Sequence, residues 1–373
     1  MQFRDLKAQY KALKPQIDQA INDVLESSSF ILGKPVTELE SALAKYVGRK
    51  HCIACGNGTD ALQLALMAWN IGPGDVVFTS DFTYFASAGA ASILGATVIL
   101  VDIEPRTFNM SAKALEEAVT RILEEGKLTP RVVIPVDLFG LPANYDQIEP
   151  IARKYGLNIL EDGAQGFGGN IRGKRACSFG DMATTSFFPA KPLGCYGDGG
   201  AIFTDDDEIE ARLRSLQAQG KSPIDKYDNR EIGINSRLDT LQAAILLPKF
   251  NAFVEYELDA VNQAAAWYTE RLQNTFVTPY VPEGYYSSWA QYTLLLDNQQ
   301  QRDSLQKKLK DHQIPSMIYY PRGLHQQEAY REIGWQDTLF PNTITATKTV
   351  LSLPMHPYLT EADVDAVCKV ILE

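Results

Sequence analysis

Hydrophobic and polar residues along this chain follow two periodicities in turn, one typical of amphipathic helices and the other of short buried strands. Over residues 4–26 the apolar side chains recur at helical spacing, which predicts a first helix. From there to about residue 160, helical patterns alternate with short apolar runs. The pattern predicts helices over residues 35–47, 84–94, 111–125 and 145–155 and one through Leu62, Leu66 and Trp69, with strands over residues 51–55, 76–79, 97–101, 131–136 and 157–160.

Strands that are separated by helices predict a mainly parallel sheet with helices on both faces. Beyond about residue 236 the pattern changes, and a long helical stretch precedes a more mixed region. The further elements expected are strands over residues 182–185, 201–204 and 290–296 and helices over residues 238–272, 301–312 and 361–372. We therefore predict an α/β protein with a large domain, residues 1–240, and a smaller C-terminal α+β domain, residues 241–373.

Composition and charge narrow the class of protein. Of the 373 residues, 45% are hydrophobic and 22% are charged, unlike disordered, collagen-like or coiled-coil chains. The longest apolar runs fall far short of the ~20 residues that cross a bilayer, and the N-terminus lacks the pattern of a secretory signal. The formal net charge is −11, and no Lys/Arg-rich run offsets it. We therefore expect a cytoplasmic protein that binds neither membrane nor nucleic acid.

The five cysteines are too few and too scattered for a disulfide framework. Cys52 and Cys55, preceded by His51, have the spacing of a redox or zinc pair. A second pair is missing, and the surrounding apolar run is typical of a buried strand, where cysteine acts as a small hydrophobe. The structural interpretation is favoured, and no metal site is expected.

Polar residues at the ends of the predicted strands are the candidates for chemistry, because ligands of open α/β sheets bind outside the carboxyl ends of the strands. Gly56-Asn57-Gly58-Thr59-Asp60 lies between a strand and a helix, where backbone N–H groups and the helix dipole suit one phosphate monoester. A tight turn with a helix cap is the alternative. The loop matches neither a dinucleotide nor a Walker A fingerprint.

Two charged residues follow later strands. Asp162 comes directly after the strand over 157–160, where its carboxylate either pairs with a protonated heterocyclic nitrogen or caps a turn. Lys191 lies between Phe-Phe-Pro and Pro-Leu-Gly without a charged neighbour. Because poor hydration disfavours an ammonium group, we expect this lysine to have a lowered pKa and to act as nucleophile and base.

Arg237 ends the segment Gly233-Ile234-Asn235-Ser236-Arg237, at the start of the long helical stretch. Its guanidinium can grip a carboxylate, or the polar ends of the segment can cap the helix. A phosphate site, a carboxylate, a poorly hydrated lysine and aromatic residues are together what pyridoxal phosphate requires, since a lysine forms its Schiff base and a carboxylate keeps its pyridine nitrogen protonated.

The chain resembles, over essentially its whole length, the sugar aminotransferases of the DegT/DnrJ/EryC1/StrS family. The resemblance implies the aspartate-aminotransferase fold, which is fold type I of the PLP-dependent transferases, and a homodimer with active sites at the subunit interface. It also implies pyridoxal 5′-phosphate as cofactor, with pyridoxamine 5′-phosphate as intermediate. The matching stretches are Asn57-Gly58-Thr59-Asp60-Ala61-Leu62, Glu161-Asp162-x-Ala164-Gln165, Ser186-Phe187-Phe188-Pro189-x-Lys191 and Gly233-x-Asn235-x-Arg237.

The resemblance implies a role for individual residues as well. Lys191 would bind the cofactor covalently, and Asp162 would pair with the pyridine nitrogen. Gln165 would contact the ring hydroxyl, and Tyr84 would stack on the ring. The residues implied at the phosphate are Gly58, Thr59 and Ser186, with Asn235 reaching in from the partner subunit.

Longer stretches, residues 191–204, 235–247 and 352–357, resemble the WbpE-type branch of the family. That branch transfers the amino group of L-glutamate to the 3-keto group of UDP-2-acetamido-2-deoxy-hex-3-uluronic acid. The same reaction is therefore expected here, in the biosynthesis of a surface polysaccharide such as the O-antigen of lipopolysaccharide. Arg237 is expected to bind the glutamate carboxylate in one half-reaction and the sugar uronate in the other.

The chain departs from the family pattern at Gly163 and Gly166, and at Tyr319, where relatives carry histidine in a segment that faces the sugar. Tyr319 and His325 are candidates for the sugar side, with a structural role as the alternative for His325. The sequence leaves open the aminated carbon, 3 or 4, and the carrier, UDP or dTDP. A regulatory binding protein on the same scaffold is another interpretation. Lys191 argues against a pyridoxamine-dependent dehydratase, and the missing glycine fingerprint argues against a nicotinamide dehydrogenase.

Overall fold

The computed structural model describes residues 1–222, 224–225 and 227–373. Its α-helices are α1 Leu6–Ser27, α2 Lys34–Val47, α3 Gly58–Ala68, α4 Ala86–Ile93, α5 Ala112–Glu125, α6 Tyr145–Tyr155, α7 Asp207–Leu216, α8 Thr240–Ala252, α9 Leu258–Leu272, α10 Gln299–Asp311, α11 Pro341–Thr349 and α12 Glu361–Leu372. Its strands are β1 His51–Cys55, β2 Asp75–Ser80, β3 Thr97–Val101, β4 Thr129–Ile134, β5 Asn158–Asp162, β6 Asn170–Ile171, β7 Lys174–Arg175, β8 Met182–Ser186, β9 Gly200–Thr204, β10 Tyr285–Tyr286, β11 Tyr292–Leu295 and β12 Val350–Leu353.

The central sheet of the described chain has seven strands in the order β1-β9-β8-β5-β4-β2-β3. The pairs from β8 to β3 are parallel, while β9 runs antiparallel to both β8 and β1. The prediction of a mainly parallel sheet is confirmed. The antiparallel β9 has a structural consequence, because it leaves β1 parallel to the rest and brings the carboxyl ends of β1, β2, β5 and β8 to one edge.

Helices cover both faces of this sheet, as the alternating pattern predicts. On one face α3, α4 and α7 bury side chains such as Leu66 and Leu213 against Val77 and Ile202 of the strands. On the other face α2 and α8 pack against the β9 side of the sheet, and α5 and α6 pack against the β2 side. Burying both faces explains why the strands are continuous apolar runs without alternation.

A separate hydrophobic cluster forms in the C-terminal part of the chain. Side chains of α9, α10 and α12 pack around the antiparallel pair β11 and β12. The long helical stretch that leads into it is continuous from Thr240 to Leu272, with a π-helical turn at Phe253–Glu257 between α8 and α9. The division into domains at residue 240 stays a prediction.

Some elements differ from the predicted ones. The helix α7 begins at an Asp206 cap that accepts from the backbone of Glu208 and Ile209, and the sequence pattern did not predict it. β12 and α11 were missed as well, and β5 extends through Asp162, two residues beyond its predicted end. Asp162 is therefore part of the strand and not of a loop.

The five cysteines are free thiols, and all are buried. Cys52 and Cys55 lie in β1, where burial raises the pKa of both thiols. This agrees with the favoured interpretation of the pair as core residues. Among the described residues, no helix combines the length and apolar character that crossing a bilayer requires.

Candidate active site

The residues before position 200 that are expected to bind the cofactor all lie near one edge of the central sheet. This is the edge where the carboxyl ends of the parallel strands meet. Gly58 and Thr59 follow β1, Tyr84 follows β2, and Gln165 follows β5. Asp162 and Ser186 are the last residues of their strands. The Lys191 loop follows β8. Residues spread over more than a hundred positions are thereby brought to one place by the strand order.

The first turn of α3 forms a cradle of the kind that holds a phosphate. Asn57 caps the helix, since its side chain accepts a hydrogen bond of 2.8 Å from the backbone N–H of Asp60. A Cβ added at Gly58 would lie 2.7 Å from the Cβ of Ser186, so only glycine allows this approach. The unpaired N–H groups of the helix start and the hydroxyl of Ser186 are thus adjacent, which is what a phosphate group requires.

Asp162 is buried at the end of β5. Its Oδ2 accepts a hydrogen bond of 2.7 Å from the hydroxyl of Ser87, and its Oδ1 accepts one of 3.2 Å from the backbone N–H of Ala164. Burial raises the pKa of Asp162, while the hydrogen bond from Ser87, the charge of Lys191 and the bond from Ala164 act in the opposite direction. A cationic ring nitrogen beside this carboxyl group would favour its ionised form.

Gln165 is also buried, with both ends of its amide engaged. Its Oε1 accepts from the backbone N–H of Phe139 at 2.9 Å, and its Nε2 donates to the hydroxyl of Tyr320 at 3.1 Å. Burial raises the pKa of Tyr320, so this phenol stays protonated. The side chain of Gln165 is fixed in orientation before any ligand arrives.

Lys191 lies in the loop after β8, where its backbone N–H donates to Phe188 at 2.8 Å. Within the described chain, its amino group has no hydrogen-bond partner. Burial lowers the pKa of Lys191, and the charge of Arg4 lowers it further, whereas Asp162 raises it. The result is the amine that a Schiff base requires, poorly hydrated and close enough to a carboxylate to sense its charge.

Tyr84 extends from the loop between β2 and α4, and 60% of its side chain is exposed. Phe188, which precedes the Lys191 loop, is half exposed as well. Exposed aromatic rings beside buried charged groups are available for stacking on a flat ligand.

The segment from Gly233 to Arg237 is joined to the cradle by Ser236. This hydroxyl accepts from the backbone N–H of Gly56 at 2.9 Å and donates to Asp60 at 2.6 Å. The side chains of Asn235 and Arg237 form no hydrogen bond or ion pair with any described residue. Two polar side chains therefore lie beside the site without a partner among the described residues.

The two candidates for the sugar side differ in their surroundings. The ring of Tyr319 is half-buried and makes edge-to-face contacts with Phe3 and Tyr320. His325 is buried between two carboxylates, with Nδ1 2.6 Å from Asp81 and Nε2 2.9 Å from Asp337. Both nitrogens of His325 are thus engaged within the protein, which favours the structural alternative. The roles proposed for both residues stay predictions.

Gly163 and Gly166, where the chain departs from the family pattern, each face a close neighbour. A Cβ at Gly163 would lie 2.6 Å from the sulfur of Cys177, and one at Gly166 would overlap the side chain of Asp137. Asp137 accepts hydrogen bonds from the backbone of Ala143 and from the hydroxyl of Tyr145, so it cannot move aside freely. The two glycines are therefore explained by packing.

The residues at this edge fit pyridoxal phosphate. The cradle at Gly58 suits its phosphate, the buried carboxyl of Asp162 suits its ring nitrogen, and the free amine of Lys191 suits its aldehyde. Of the residues that hold this set in place, sequence reasoning did not single out Ser87, Phe139, Tyr320, Ser236 or Arg4.

Comparison with known proteins assigns the family. The pattern of the DegT/DnrJ/EryC1/StrS aminotransferase family matches residues 11–372. The chain belongs to this family. The predicted family and the predicted enzyme class, an aminotransferase, are confirmed.

Two relatives of this aminotransferase are similar over the whole length. A UDP-2-acetamido-2-deoxy-3-oxo-D-glucuronate aminotransferase of Pseudomonas aeruginosa is 45% identical over 372 residues, which cover 100% of this chain and 99% of the relative. A protein of Geobacillus stearothermophilus named pleiotropic regulatory protein is 42% identical over 373 residues, covering 99% of this chain and 97% of the relative.

Solved structures confirm the predicted fold. A DegT/DnrJ/EryC1/StrS aminotransferase from Brucella abortus superimposes with a TM-score of 0.96 at 45% identity, covering 100% of this chain and 98% of the other. The NtdA protein of Bacillus subtilis, solved with bound pyridoxamine phosphate (PMP), superimposes with a TM-score of 0.86 at 28% identity, covering 100% and 83%. A protein of the same fold thus binds the predicted type of cofactor.

Proposed function

We propose that this protein is a PLP-dependent aminotransferase that moves the amino group of L-glutamate to C3 of UDP-2-acetamido-2-deoxy-3-keto-glucuronic acid. The observation that carries the proposal is the free amine of Lys191 within electrostatic reach of the buried Asp162. The full-length similarity to the Pseudomonas aeruginosa enzyme supports the choice of substrate.

The cofactor would be held by residues of several strand ends. Gly58, Thr59 and Ser186 would bind its phosphate, Tyr84 would stack on the ring, and Gln165 would contact the ring hydroxyl. When bound, pyridoxal phosphate supplies an electron sink for the bonds at the reacting carbon. Asp162 favours that chemistry by holding a negative charge at the ring nitrogen, in a position fixed by Ser87.

Lys191 would serve as the general base and acid. Because its pKa is lowered by burial, the amine is more often neutral at physiological pH than an exposed lysine. With the cofactor and glutamate bound, Nζ would be the atom that takes the proton from the Cα of the amino acid. In the second half-reaction the same atom can return a proton to the sugar carbon that receives the amine.

Arg237 would bind the carboxylates of both substrates in turn, since glutamate and the sugar uronate each present one. Among the described residues, no carboxylate forms an ion pair with the guanidinium of Arg237. The guanidinium is therefore available for a bidentate contact with a ligand. The neighbouring Asn235 would contact the cofactor phosphate of the other subunit.

A homodimer completes this site in the proposal. Exposed apolar residues lie next to the segment that carries Arg237, because Ile31 pairs with Asp239 and the carbonyl of Phe30 accepts from the N–H of Thr240. A dimer would bury these side chains along with others near the site. The exposed apolar residues are Phe30, Ile31, Leu32, Phe188 and Ile232.

The proposal also assigns the reaction to a biosynthetic process and to the cytoplasm. The product is an amino sugar still attached to its nucleotide, and so a donor for building a surface polysaccharide such as the O-antigen of lipopolysaccharide. Free thiols at all five cysteines suit the reducing cytoplasm.

Two alternative functions compete with this proposal. The acceptor could be another nucleotide-linked ketone, a dTDP-3-keto-6-deoxyhexose or a UDP-4-keto-6-deoxyhexose. A regulatory binding protein is the other, and the name of the Geobacillus stearothermophilus relative is consistent with it. The complete set of Lys191, Asp162 and the phosphate cradle favours catalysis.

The experiment offers L-glutamate and each keto-sugar to the purified protein and follows 2-oxoglutarate and the amino sugar by mass spectrometry. The expected result is amination of the UDP-3-keto-uronate at the highest kcat/KM, and none with Lys191→Ala. Faster turnover of another ketone would transfer the proposal to that sugar. Absence of turnover with every acceptor would overturn it in favour of a regulatory role.

A further inference from the structure

The N-terminal residues 3–5, here called the N-terminal strap, contact the loop that carries Lys191. Arg4 Nη2 donates to the carbonyl oxygen of Lys191 at 2.8 Å and to that of Pro192 at 3.2 Å. The strap and the loop are 187 positions apart in the sequence, so only the tertiary fold brings them together. Because one guanidinium nitrogen donates to two successive carbonyl oxygens, it fixes the orientation of the backbone between them.

The strap itself is anchored at both ends. Asp5 caps α1, since its Oδ1 accepts from the backbone N–H of Ala8 at 2.8 Å. The carbonyl of Phe3 accepts from the N–H of Met355 at 3.1 Å, and the ring of Phe3 touches that of Tyr319. Arg4 is therefore held between two fixed points and has little freedom to leave the loop.

The backbone N–H of Cys195 donates to the carbonyl of Phe187 at 2.8 Å and closes the loop, but this bond does not hold the stretch around Lys191. Pro192 has no N–H to donate, and the backbone N–H of Lys191 is joined only to Phe188 at the loop start. Within the described chain, Arg4 is the only hydrogen-bond donor to the carbonyls of Lys191 and Pro192. A shift of this backbone would move the Lys191 amine away from the strand ends. A misplacement of about 1 Å can lower a reaction rate by about 100-fold.

We propose that Arg4 is a positioning residue for Lys191, which fixes the backbone of the lysine and places a positive charge behind its amine. Arg4 does not touch the reacting atoms and acts only through Lys191. This inference rests on the proposed function insofar as Lys191 is the reactive amine.

Three further observations agree with this role. The pKa of Arg4 is lowered to about 10 by burial, with Glu257 opposing, so that the guanidinium stays charged at neutral pH. The charged groups that act on the Lys191 amine are Asp162, which raises its pKa, and Arg4, which lowers it. Arg4 Nη1 is buried without a hydrogen-bond partner. Among the described residues, the hydrogen bonds of the guanidinium are thus directed only to the Lys191 loop.

The test uses three variants of the full-length chain. Arg4→Gln removes the charge, Arg4→Lys keeps the charge but loses the planar fork, and Lys7→Gln, an exposed position on α1, is the control. The first measurement is made on the cofactor-free protein and needs no substrate. An amine-acylating reagent is applied across a range of pH, and peptide mass spectrometry gives the labelling rate of Lys191.

The two Arg4 variants are expected to separate the effect of the charge of Arg4 from the effect of its hydrogen bonds. Arg4→Gln moves the midpoint of Lys191 labelling to higher pH, whereas Arg4→Lys leaves it close to that of the parent. Both lower kcat with glutamate by about 10-fold or more while KM changes little, because the amine is misplaced in each. Lys7→Gln changes neither quantity.

The overturning result is a parent-like labelling midpoint and a parent-like kcat in Arg4→Gln, even if its thermal stability falls, since a merely structural arginine would give that outcome. Should Arg4→Gln fail to fold, a parent-like kcat in Arg4→Lys overturns the proposal equally. If borohydride trapping finds no cofactor on Lys191, the proposed function fails, but the labelling shift is measured independently of it.

Discussion

Ser87, in the first turn of α4, donates a hydrogen bond of 2.7 Å to Oδ2 of Asp162 at the end of β5. Both side chains are buried. The bond joins the segment that carries Tyr84 to the carboxylate expected to pair with the cofactor ring. It also stabilises the ionised form of Asp162 against the effect of burial.

Substitution Ser87→Ala is expected to raise the pKa of Asp162, because the hydrogen bond that favours the carboxylate is lost while burial remains. A hydrogen bond to a charged group contributes about 1.5–3 kcal/mol, equivalent to about one pH unit or more. Since activity requires ionised Asp162, the acid limb of the kcat/KM profile should move to higher pH by that amount. Ser92→Ala, on the same helix but bonded to Tyr330, is the matched control. An unshifted acid limb in Ser87→Ala would argue against this role.

Gly58→Ala is expected to weaken cofactor binding. The added Cβ would lie 2.7 Å from the Cβ of Ser186 and would force the two sides of the phosphate cradle apart. We expect the cofactor Kd to rise by about 10-fold or more, which corresponds to about 1.4 kcal/mol. Gly72→Ala is the control, because its Cβ would meet only an ordinary contact at 3.7 Å from the carbonyl of Leu94. Equal affinities for the two variants, measured by titration of the cofactor-free protein, would contradict the assignment of the cradle.

The Asp81–His325–Asp337 bridge is expected to make stability depend on pH. Burial alone would lower the pKa of His325, but hydrogen bonds with Asp81 and Asp337 raise it above its usual value. A raised folded pKa means that the bridge stabilises most below the unfolded pKa of about 6.5 and loses that contribution as pH rises through the folded pKa.

The measurement compares the free energy of unfolding of the parent with that of His325→Gln between about pH 5 and pH 8. Breaking a buried pair costs about 3 kcal/mol, so the difference should approach that size at the acid end and shrink toward the alkaline end. His312→Gln, an exposed position, serves as the control. A difference that stays constant across the range would mean that His325 does not titrate between these limits.

Arg237→Ala is expected to impair both half-reactions, because one guanidinium is proposed to bind the carboxylate of glutamate and then that of the sugar. Loss of a charged hydrogen-bonded pair should lower kcat/KM for each substrate by about 100-fold. Arg230→Ala, an exposed arginine paired with Asp228 in the preceding segment, should leave both values unchanged. Impairment with only one of the two substrates would show that the other carboxylate is bound elsewhere.

Much of the fold could be predicted from the sequence, because each strand of the sheet is a short apolar run bounded by polar or glycine residues. The bounds of β1 and β3 agree with the predicted ones. The helix α7 was missed although Asp206 and the acidic residues after it are a typical helix start. The polar character of Asp207–Leu216 concealed the two residues, Leu213 and Leu216, that reach the core.

The supporting contacts of the site could not be predicted in the same way. Ser87 and Asp162 are 75 positions apart, and the strands that precede and carry them, β2 and β5, are not even neighbours in the sheet, since β4 lies between them. Arg4 reaches Lys191 only because α1 packs on α8, with Leu13 and Ile17 against Ile245. A local pattern shows that a residue type is present, but strand order and helix packing decide which partner it meets.

We propose that Lys191 is the lysine that binds the cofactor, and another lysine with a lowered pKa provides a comparison within the same chain. Lys249, on α8, has no hydrogen-bond partner for its amine, and burial lowers its pKa to about 8. The direct measurement is borohydride reduction of the cofactor-loaded protein followed by peptide mapping. We expect the label on Lys191 alone, and no label in Lys191→Ala. Label on Lys249 or on any other lysine, or no label at all, would contradict it.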